Sequence, residues 1–419
     1  MSTSPADSPS GTHSTATPFA HPMYIMAKPV GAACNLRCDY CYYLEKSHLY
    51  GGDAHPVMSD ELLERFVREY IESQTTQEVL FTWHGGEPLL RPLRFYEKVA
   101  LQRRYARGRR VANSLQTNGT LIDDRWAQFF RDEGWLIGVS LDGPEAYHDA
   151  YRHARGGGPS FRKVMAGIET LNRHGVEWNA LAVANRLNAD HPLAFYRFFK
   201  DIGCQYIQVT PVVERLMQHG DGRQLASLDE VGELAPFSVR PQQWGQFLCT
   251  IFDEWVRHDV GACYVNLFDA TLANWVGVAP GICTMAKHCG HAGVMEHNGD
   301  VYSCDHFVFP EYRLGNIREQ SLVEMMYGER QRRFGRDKAD SLPGQCRRCQ
   351  WLALCHGECP RNRFVRTADG EPGLNYLCEG YHAFFEHVAP YMDVMARLLG
   401  ERRPPAEIMR LLAMGLFAQ

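Results

Sequence analysis

The chain has 419 residues, which is enough for about two to three domains of typical size. Hydrophobic residues make up 45% and charged residues 22%, so a largely disordered or collagen-like chain is excluded. Forty-four Lys and Arg against 49 Asp and Glu give a formal charge of −5, and no overall basic character indicates binding to nucleic acid or to an anionic membrane. The 14 cysteines are the main lead, because clustered cysteines in a reducing compartment more often hold metal than form disulfides.

The N-terminal segment differs in composition from the rest of the chain. Residues 1–22 are rich in Ser, Thr and Pro, contain neither Lys nor Arg, and lack the apolar stretch of a secretory signal. We predict a disordered tail here, because so few apolar residues cannot bury enough surface to order the backbone. No apolar run in the chain approaches the ~18–20 residues that span a bilayer, so we predict a cytoplasmic protein.

After the tail, strands and helices alternate along the chain. The predicted strands cover 24–31, 78–83, 112–116, 136–141, 177–184 and 205–212, and the predicted helices cover 59–73, 93–106, 123–133, 160–174 and 191–202. This alternation predicts βαβ units and a parallel sheet, and six repeats predict an α/β fold with a partial (β/α)6 barrel of the TIM type. Ligands of such barrels gather at the carboxyl ends of the strands. Candidate residues at those ends are Cys34, His84, Asn118, Ser140 and Pro211.

The second half of the chain has a different pattern. Residues 214–240 are polar and predict a loop, and 241–258 predict a helix. The alternation fades from about residue 261, eight cysteines follow between residues 283 and 378, and a helical tail is predicted near 381–413. We therefore predict a tail at 1–22, the barrel at 23–240, a cysteine-rich domain with its linking helix at 241–400, and a C-terminal helical tail at 401–419.

The first cysteine loop contains Cys34, Cys38 and Cys41 in the spacing C-x3-C-x2-C. Positions i, i+4 and i+7 also share one helix face, so buried core thiols are an alternative. Polar residues interleave the cysteines, however, and the segment follows a strand as a loop does. Three thiolates are one fewer than the four that saturate a cubane cluster, so one iron would keep an open coordination position. A structural zinc site would need four closed ligands.

The segment His84-Gly85-Gly86-Glu87-Pro88 follows one βαβ step after the first cysteine loop. Two successive glycines let backbone amides and carbonyls approach a ligand closely, because no Cβ obstructs them. Taken alone, the segment is equally consistent with a structural turn. Its position relative to the cysteines favours a role at the same site.

The second cysteine set lies between residues 283 and 378. Its members are Cys283, Cys289, Cys304, Cys346, Cys349, Cys355, Cys359 and Cys378. Eight cysteines divide into two groups of four, and four thiolates fully ligate one cubane cluster. A pair of zinc sites with four thiolates each is the alternative, and spacing does not show which four belong together. The three remaining cysteines, Cys204, Cys249 and Cys263, are interpreted as packing thiols.

The C-x3-C-x2-C spacing resembles the signature of the radical SAM superfamily, and the second cysteine set resembles its SPASM extension. Longer segments are similar to the anaerobic sulfatase-maturating enzymes, and the likeness extends from about residue 23 to 400. These segments are MAKPVGAACNLRCDYCYYLEK at 26–46, TWHGGEPLL at 82–90, NSLQTNGTL at 113–121, SLDGPEAYHDAYR at 140–152, EHNGDVYSCDHFVFPEYRLGNI at 296–317 and CPRNRF at 359–364.

The resemblance implies three 4Fe-4S clusters and S-adenosyl-L-methionine (SAM). The open iron of the first cluster would bind SAM, whose reductive cleavage gives a 5′-deoxyadenosyl radical. The implied SAM contacts are Tyr40, Gly86, Ser140, Arg152 and Val213. One auxiliary cluster would use Cys283, Cys289, Cys304 and Cys359, named here the near group. The other would use Cys346, Cys349, Cys355 and Cys378, named the far group.

The implied reaction oxidises one Cys or Ser of a sulfatase polypeptide, within a C/S-x-P/A-x-R motif, to Cα-formylglycine. A flavodoxin- or ferredoxin-type protein would donate electrons. Asp305 occupies the position of the family's catalytic acid, directly after Cys304, and would take the substrate proton. His306 is the second candidate, and a merely structural Asp305 is the alternative.

Two positions depart from the family pattern. Val213 stands where some relatives carry Leu, and His84 where some carry Gln. Two rival functions also remain at this stage. One is a SPASM enzyme that crosslinks a ribosomal peptide, although 22 residues are too few for the peptide-recognition domain that such enzymes often carry. The other is a non-enzymatic iron–sulfur or zinc protein.

Overall fold

The computed structural model describes residues 22–43, 46, 49–50, 57–219, 222–225 and 231–416. Residues 1–21 of the predicted disordered tail lie outside the described residues. The strands are β1 (Tyr24–Ala27), β2 (Leu36–Cys38), β3 (Glu78–Trp83), β4 (Arg110–Thr117), β5 (Leu136–Ser140), β6 (Arg152–Ala154), β7 (Trp178–Ala184), β8 (Tyr206–Pro211), β9 (Arg215–His219), β10 (Gly222–Leu225), β11 (Glu233–Leu234), β12 (Tyr264–Val265), β13 (Ala292–Met295), β14 (Asp300–Tyr302), β15 (Arg313–Asn316), β16 (Val365–Arg366) and β17 (Pro372–Leu374).

The α-helices cover most of the remaining ordered segments. They are α1 (Asp60–Ser73), α2 (Leu93–Glu97), α3 (Leu101–Tyr105), α4 (Asp124–Glu133), α5 (Glu145–His148), α6 (Phe161–His174), α7 (Pro192–Asp201), α8 (Pro241–His258), α9 (Asn266–Trp275), α10 (Leu322–Met326), α11 (Glu329–Asp340), α12 (Gly344–Arg347), α13 (Leu352–Cys355), α14 (Cys378–Gly400) and α15 (Glu407–Ala413).

One ten-stranded sheet organises the described part of the chain, in the order β12-β8-β7-β5-β4-β3-β1-β13-β14-β15. The run from β12 to β1 is parallel throughout. Helices α1, α4, α6 and α7 connect successive strands of this run. The predicted partial barrel is therefore confirmed, and its strands bring their carboxyl ends to one rim.

Local signals in the sequence fix several element ends. The Ser59 side chain accepts a hydrogen bond from the Leu62 N–H at 3.2 Å and so caps α1. Helix α6 ends at Gly175, whose φ of +67° is a conformation that glycine adopts without a Cβ penalty. Strand β1 ends at Ala27, short of the predicted residue 31, because Pro29 has no N–H to continue the ladder.

Three predicted features are wrong in detail. The segment 214–240, predicted as a loop, contains the antiparallel sheet β10-β9-β11. Leu216 and Leu225 of this sheet pack against a buried cluster that includes Tyr40 of the first cysteine loop, and the polar composition of the segment does not indicate this long-range contact. The predicted helix 93–106 is interrupted by a 3-10 turn at Lys98–Ala100. The alternation also continues past residue 261, because β12 pairs with β8 and α9 follows it.

The cysteine-rich half is joined to the barrel through the sheet. Strand β13 pairs in parallel with β1, in the register Tyr24↔Ala292 to Ala27↔Met295, and β14 and β15 follow antiparallel. Helices α8 and α14 pack so closely that a Cβ on Gly380 would lie 2.2 Å from the Pro241 carbonyl oxygen. Helix α14 is the longest described helix, with 23 residues. Within the described ranges, no helix combines the length and apolar character needed to cross a membrane.

Candidate active site

The first cysteine loop leaves the end of β1 and lies beside β6. Its short strand β2 pairs with β6 in the register Cys38↔Arg152, which places the guanidinium of that arginine beside the thiols. Burial raises the pKa of Cys34 to about 11 and that of Cys38 to about 12, and the neighbouring Cys41 thiol adds to both shifts. Buried thiols this close to one another are hard to ionise without a compensating cation. The donor set therefore fits a cluster with three protein ligands.

The turn after β3 is bound tightly to this loop. The Gly86 N–H donates to the Gly31 carbonyl at 2.8 Å, and a Cβ on Gly86 would lie 2.2 Å from the Ala33 carbonyl oxygen. The buried Glu87 carboxylate accepts hydrogen bonds from the Asn118 N–H and the Leu89 N–H. Glycine at residue 86 is therefore required by the approach of the cysteine loop itself, in addition to any ligand.

The residues proposed to contact SAM lie around the same rim. The Arg152 Nη1 donates to the Tyr40 hydroxyl at 2.9 Å, and that hydroxyl bonds the buried carboxylate of Asp142, two residues beyond Ser140. Arg152 Nε is buried and has no hydrogen-bond partner among the described residues, which fits a ligand that completes the site. Ser140 ends β5 and the buried Val213 follows β8, so these two predicted contacts are on the carboxyl side of the strands.

The buried His148 lies next to this pocket and is hydrogen-bonded to the residues that position Arg152 and Asp142. The Ser160 hydroxyl donates to the Arg152 carbonyl at 2.8 Å, so it accepts from His148 Nε2 at 2.9 Å. The Asp142 N–H points at His148 Nδ1 at 3.4 Å. These partners require the neutral ring with its hydrogen on Nε2. Burial, helped by Arg152, lowers the pKa of His148 to about 2.

We expect this histidine to make the protein acid-sensitive. The unfolded chain takes up a proton on His148 below its ordinary pKa of 6.5, and the folded chain does not until about pH 2, so stability is lost as the pH falls below about 6.5. The loss is roughly 1 kcal/mol per pH unit. The thermal midpoint should therefore drop less between pH 7 and pH 5 in His148→Gln than in wild type. His258→Gln at an exposed site should retain the full drop, and equal drops in all three proteins would contradict this account.

Asp305 lies between the two cysteine-rich parts of the site. It follows Cys304 directly, its carboxylate pairs with the ammonium of Lys28, and it accepts a hydrogen bond from the Tyr42 hydroxyl. Lys28 is fully buried, with Nζ 3.3 Å from the centroid of the Tyr43 ring. Burial alone would raise the pKa of Asp305, but Lys28, His84 and His306 together outweigh it and hold this pKa well below its usual range. The carboxylate is therefore ionised and available to accept a proton.

Two imidazoles flank this carboxylate. His84 follows β3, and His306 lies 4.9 Å from Tyr42 between ring centroids. Burial lowers the pKa of each to about 4, so both are neutral near pH 7. The neutral His306 and the ionised Asp305 are therefore both unprotonated near pH 7, and each offers an acceptor for a proton.

The near and far groups stay predictions, and the electrostatic influences among their thiols are compatible with them. Burial raises the pKa of Cys304, and the thiols of Cys283 and Cys359 raise it further, while Cys283 also acts on Cys289. In the far group, burial and the thiols of Cys378 and Cys346 raise the pKa of Cys355. Among the described residues, no three His, Cys, Asp or Glu side chains converge closely enough to hold a single metal ion.

The sequence analysis missed several residues of this site. Lys28 is the most informative, because an isolated lysine in an otherwise apolar strand end predicts a buried charge with a partner. Arg361 was missed as well, although it lies in the CPRNRF segment. Its Nη2 donates to both carboxylate oxygens of Glu214 at 2.6 Å, and its guanidinium lies 5.1 Å from the centroid of the Tyr42 ring. This ion pair joins the end of the barrel to the near group.

Comparisons with known proteins agree with this arrangement. Residues 29–199 match the radical SAM superfamily, and residues 289–350 match SPASM, an iron-sulfur cluster-binding domain. A serine-type anaerobic sulfatase-maturating enzyme of Bacteroides thetaiotaomicron is 64% identical, over 96% of this chain and 98% of its own length. A cysteine-type anaerobic sulfatase-maturating enzyme of Clostridium perfringens is 32% identical, over 88% of this chain and 97% of its own length.

A solved structure is also similar. It is described as native anSMEcpe with bound AdoMet and Cp18Cys peptide, and it has a TM-score of 0.78 at 31% identity, covering 90% of this chain and 99% of that one. The family resemblance, the fold class and the assignment as an enzyme are confirmed, and the non-enzymatic alternative is wrong. The chain belongs to the anaerobic sulfatase-maturating enzymes, radical SAM enzymes with a SPASM iron–sulfur domain.

Proposed function

We propose that this enzyme oxidises the side chain of one Ser or Cys in a sulfatase polypeptide to Cα-formylglycine, with Asp305 as the proton acceptor. One observation supports this more than any other: the Tyr42 hydroxyl, directly after Cys41, bonds the Asp305 carboxylate, directly after Cys304. An ionised carboxylate thereby lies between the first cysteine loop and the near group. Proton removal and electron removal can then occur at neighbouring points of one substrate.

The cofactors in this proposal are SAM and three 4Fe-4S clusters. The first cysteine loop would hold the first cluster, and the near and far groups would hold the two auxiliary clusters. Tyr40, Gly86, Ser140, Arg152 and Val213 would contact SAM. When bound, these groups supply a 5′-deoxyadenosyl radical that takes a hydrogen atom from the substrate β-carbon, and an auxiliary acceptor for one electron.

In this proposal, side chains of the enzyme accept the proton that the substrate hydroxyl or thiol loses. Conversion of a CH2OH group to an aldehyde removes one hydrogen atom, one proton and one electron, and Asp305 would take the proton from the hydroxyl. A thiol substrate would lose the corresponding proton and give a thioaldehyde that water hydrolyses. Lys28 keeps the Asp305 carboxylate ionised before the reaction and remains beside it afterwards. The Tyr42 hydroxyl limits the orientations of that carboxylate.

The substrate in this proposal is an unfolded or nascent sulfatase segment with a C/S-x-P/A-x-R motif, and the electron donor is a flavodoxin- or ferredoxin-type protein. A Cys peptide is bound in the similar anSMEcpe structure, whereas the 64% identical relative is of the serine type. The higher identity supports acceptance of serine. We therefore expect a Ser peptide to be converted, whether or not the Cys peptide is converted too.

The test incubates the full chain, reconstituted without oxygen, with SAM, a reductant and matched Ser and Cys peptides. Mass spectrometry with a hydrazine trap should detect an aldehyde, and deuterium on the β-carbon should appear in 5′-deoxyadenosine. A peptide that loses hydrogen without becoming reactive to hydrazine would indicate crosslinking instead. Conversion of neither peptide, with SAM still cleaved, would contradict the proposal.

A further inference from the structure

Helix α11 presents an unusual buried face to the near group. Its buried residues are Gln331, Gly335 and Lys338, at positions i, i+4 and i+7 of one stripe. A helix that packs on a protein core normally buries apolar side chains along such a stripe. Here the stripe carries an amide, a glycine and a full positive charge, and its partners are backbone groups of the cysteine segments.

Each member of the stripe contacts a segment that bears a cysteine of the near group. Gln331 Nε2 donates to the carbonyls of Gly290 and Ser303, next to Cys289 and Cys304, at 3.0 Å each. The Cys289 N–H donates to the Gly335 carbonyl at 3.1 Å.

A glycine is required at the centre of this stripe. A Cβ on Gly335 would lie 2.6 Å from the Cys289 carbonyl oxygen. Because glycine has no Cβ, the axis of helix α11 can approach the cysteine segment closely. The positive charge on the same face of the helix therefore lies closer to the thiols.

Lys338, the third residue of the stripe, carries the positive charge. Lys338 is fully buried, and its Nζ donates to the carbonyls of Cys283 and Thr284 at 2.7 and 2.8 Å. The Lys338 carbonyl in turn accepts from Arg363, which also donates to the Gly357 carbonyl near Cys359.

Arg363 and Lys338 place their charges differently. Arg363 donates to the carbonyls of His356 and Glu358, which lie between Cys355 of the far group and Cys359 of the near group. Lys338 donates to the carbonyls of Cys283 and Thr284, so its ammonium lies on the near group.

We propose that Lys338 is a positioning residue that raises the reduction potential of a cluster held by the near group, so that this cluster accepts the electron from the substrate. Adding one electron makes a four-thiolate cluster more negative, and a buried cation stabilises that reduced form, because little solvent screens it. The inference rests on the proposed function in one respect, namely that the near group holds a cluster.

The test compares wild type, K338M and K287M as full-length reconstituted proteins, poised anaerobically at a series of potentials and followed by electron paramagnetic resonance. We expect K338M to lower the equilibrium constant for one-electron reduction of the near cluster about tenfold, a shift of about 59 mV to more negative potential. K287M removes an exposed lysine two residues from Cys289 and should shift nothing. The far cluster should keep its potential in every protein and shows that the variant is folded.

The outcomes separate this inference from the proposed function. Wild-type protein with no near cluster, and about a third less iron than three clusters require, would contradict the proposed function. A near cluster of unchanged potential in K338M would overturn the role of Lys338 alone. Two further variants decide the question if K338M does not assemble that cluster: K338R keeps the charge and should keep the potential, and K338Q should shift it. Loss of the near cluster from all three variants would mean a purely structural lysine and would also overturn the inference.

Discussion

Asp305→Asn should abolish formylglycine formation while SAM cleavage continues. The amide has nearly the same shape as the carboxylate, but it cannot accept the substrate proton, so we expect product formation to fall about 10²- to 10⁴-fold. The Arg152–Tyr40 contact does not involve Asp305, and the amide oxygen of the variant can still accept the hydrogen bond from Tyr42, so cleavage of SAM should remain. Both products can be measured in one reaction, 5′-deoxyadenosine by chromatography and the peptide aldehyde by mass spectrometry.

Two further variants make this result specific. Asp132→Asn changes an exposed aspartate on α4 and should affect neither product. His306→Gln removes the second candidate proton acceptor, and we expect it to retain far more activity than Asp305→Asn. Full product formation by Asp305→Asn would show that Asp305 is not the proton acceptor. Loss of the peptide aldehyde in His306→Gln alone would indicate that His306 is the acceptor instead.

Gly86→Ala should prevent the first cysteine loop from holding its proposed cluster. The added methyl would lie 2.2 Å from the Ala33 carbonyl oxygen and 2.6 Å from that of Ala32, both of which are backbone atoms that cannot rotate away. The turn or the loop must move, and the three thiols would lose their common geometry. We expect loss of about a third of the iron, with the auxiliary clusters retained, and no SAM cleavage.

Iron analysis together with 5′-deoxyadenosine measurement checks this expectation. Gly156→Ala is the matched control, because no atom lies within 4 Å of its added Cβ and its backbone needs no left-handed conformation. The control should keep its iron and its activity. If Gly86→Ala also keeps both, the cysteine loop is more compliant than its packing indicates.

Local patterns were sufficient for most of the barrel. The strands at 78–83 and 136–141, the cap at Ser59 and the helix end at Gly175 depend on residues within a few positions of one another. Contacts between distant segments were not predictable in this way. The sequence near residue 215 does not indicate that β9 pairs with β10 on one side and β11 on the other. That sheet depends on burial against the cluster that includes the first cysteine loop.

The candidate site shows the same division. Cysteine spacing predicts clusters because sulfur chemistry limits the alternatives, whereas the partition into near and far groups is implied by the family resemblance and not by spacing. The segment QRRFGRDK of α11 is strongly polar and predicts a solvated helix. Its inward face is polar because backbone carbonyls of the cysteine segments, which a sequence does not display, serve as its partners.

The pairing of β1 with β13 has a consequence for biosynthesis. Residue 24 is synthesised well before its partner, residue 292. Until then one edge of the nascent barrel carries unsatisfied amide and carbonyl groups, which are prone to pair with other chains. A chain truncated before β13 would expose the same edge permanently.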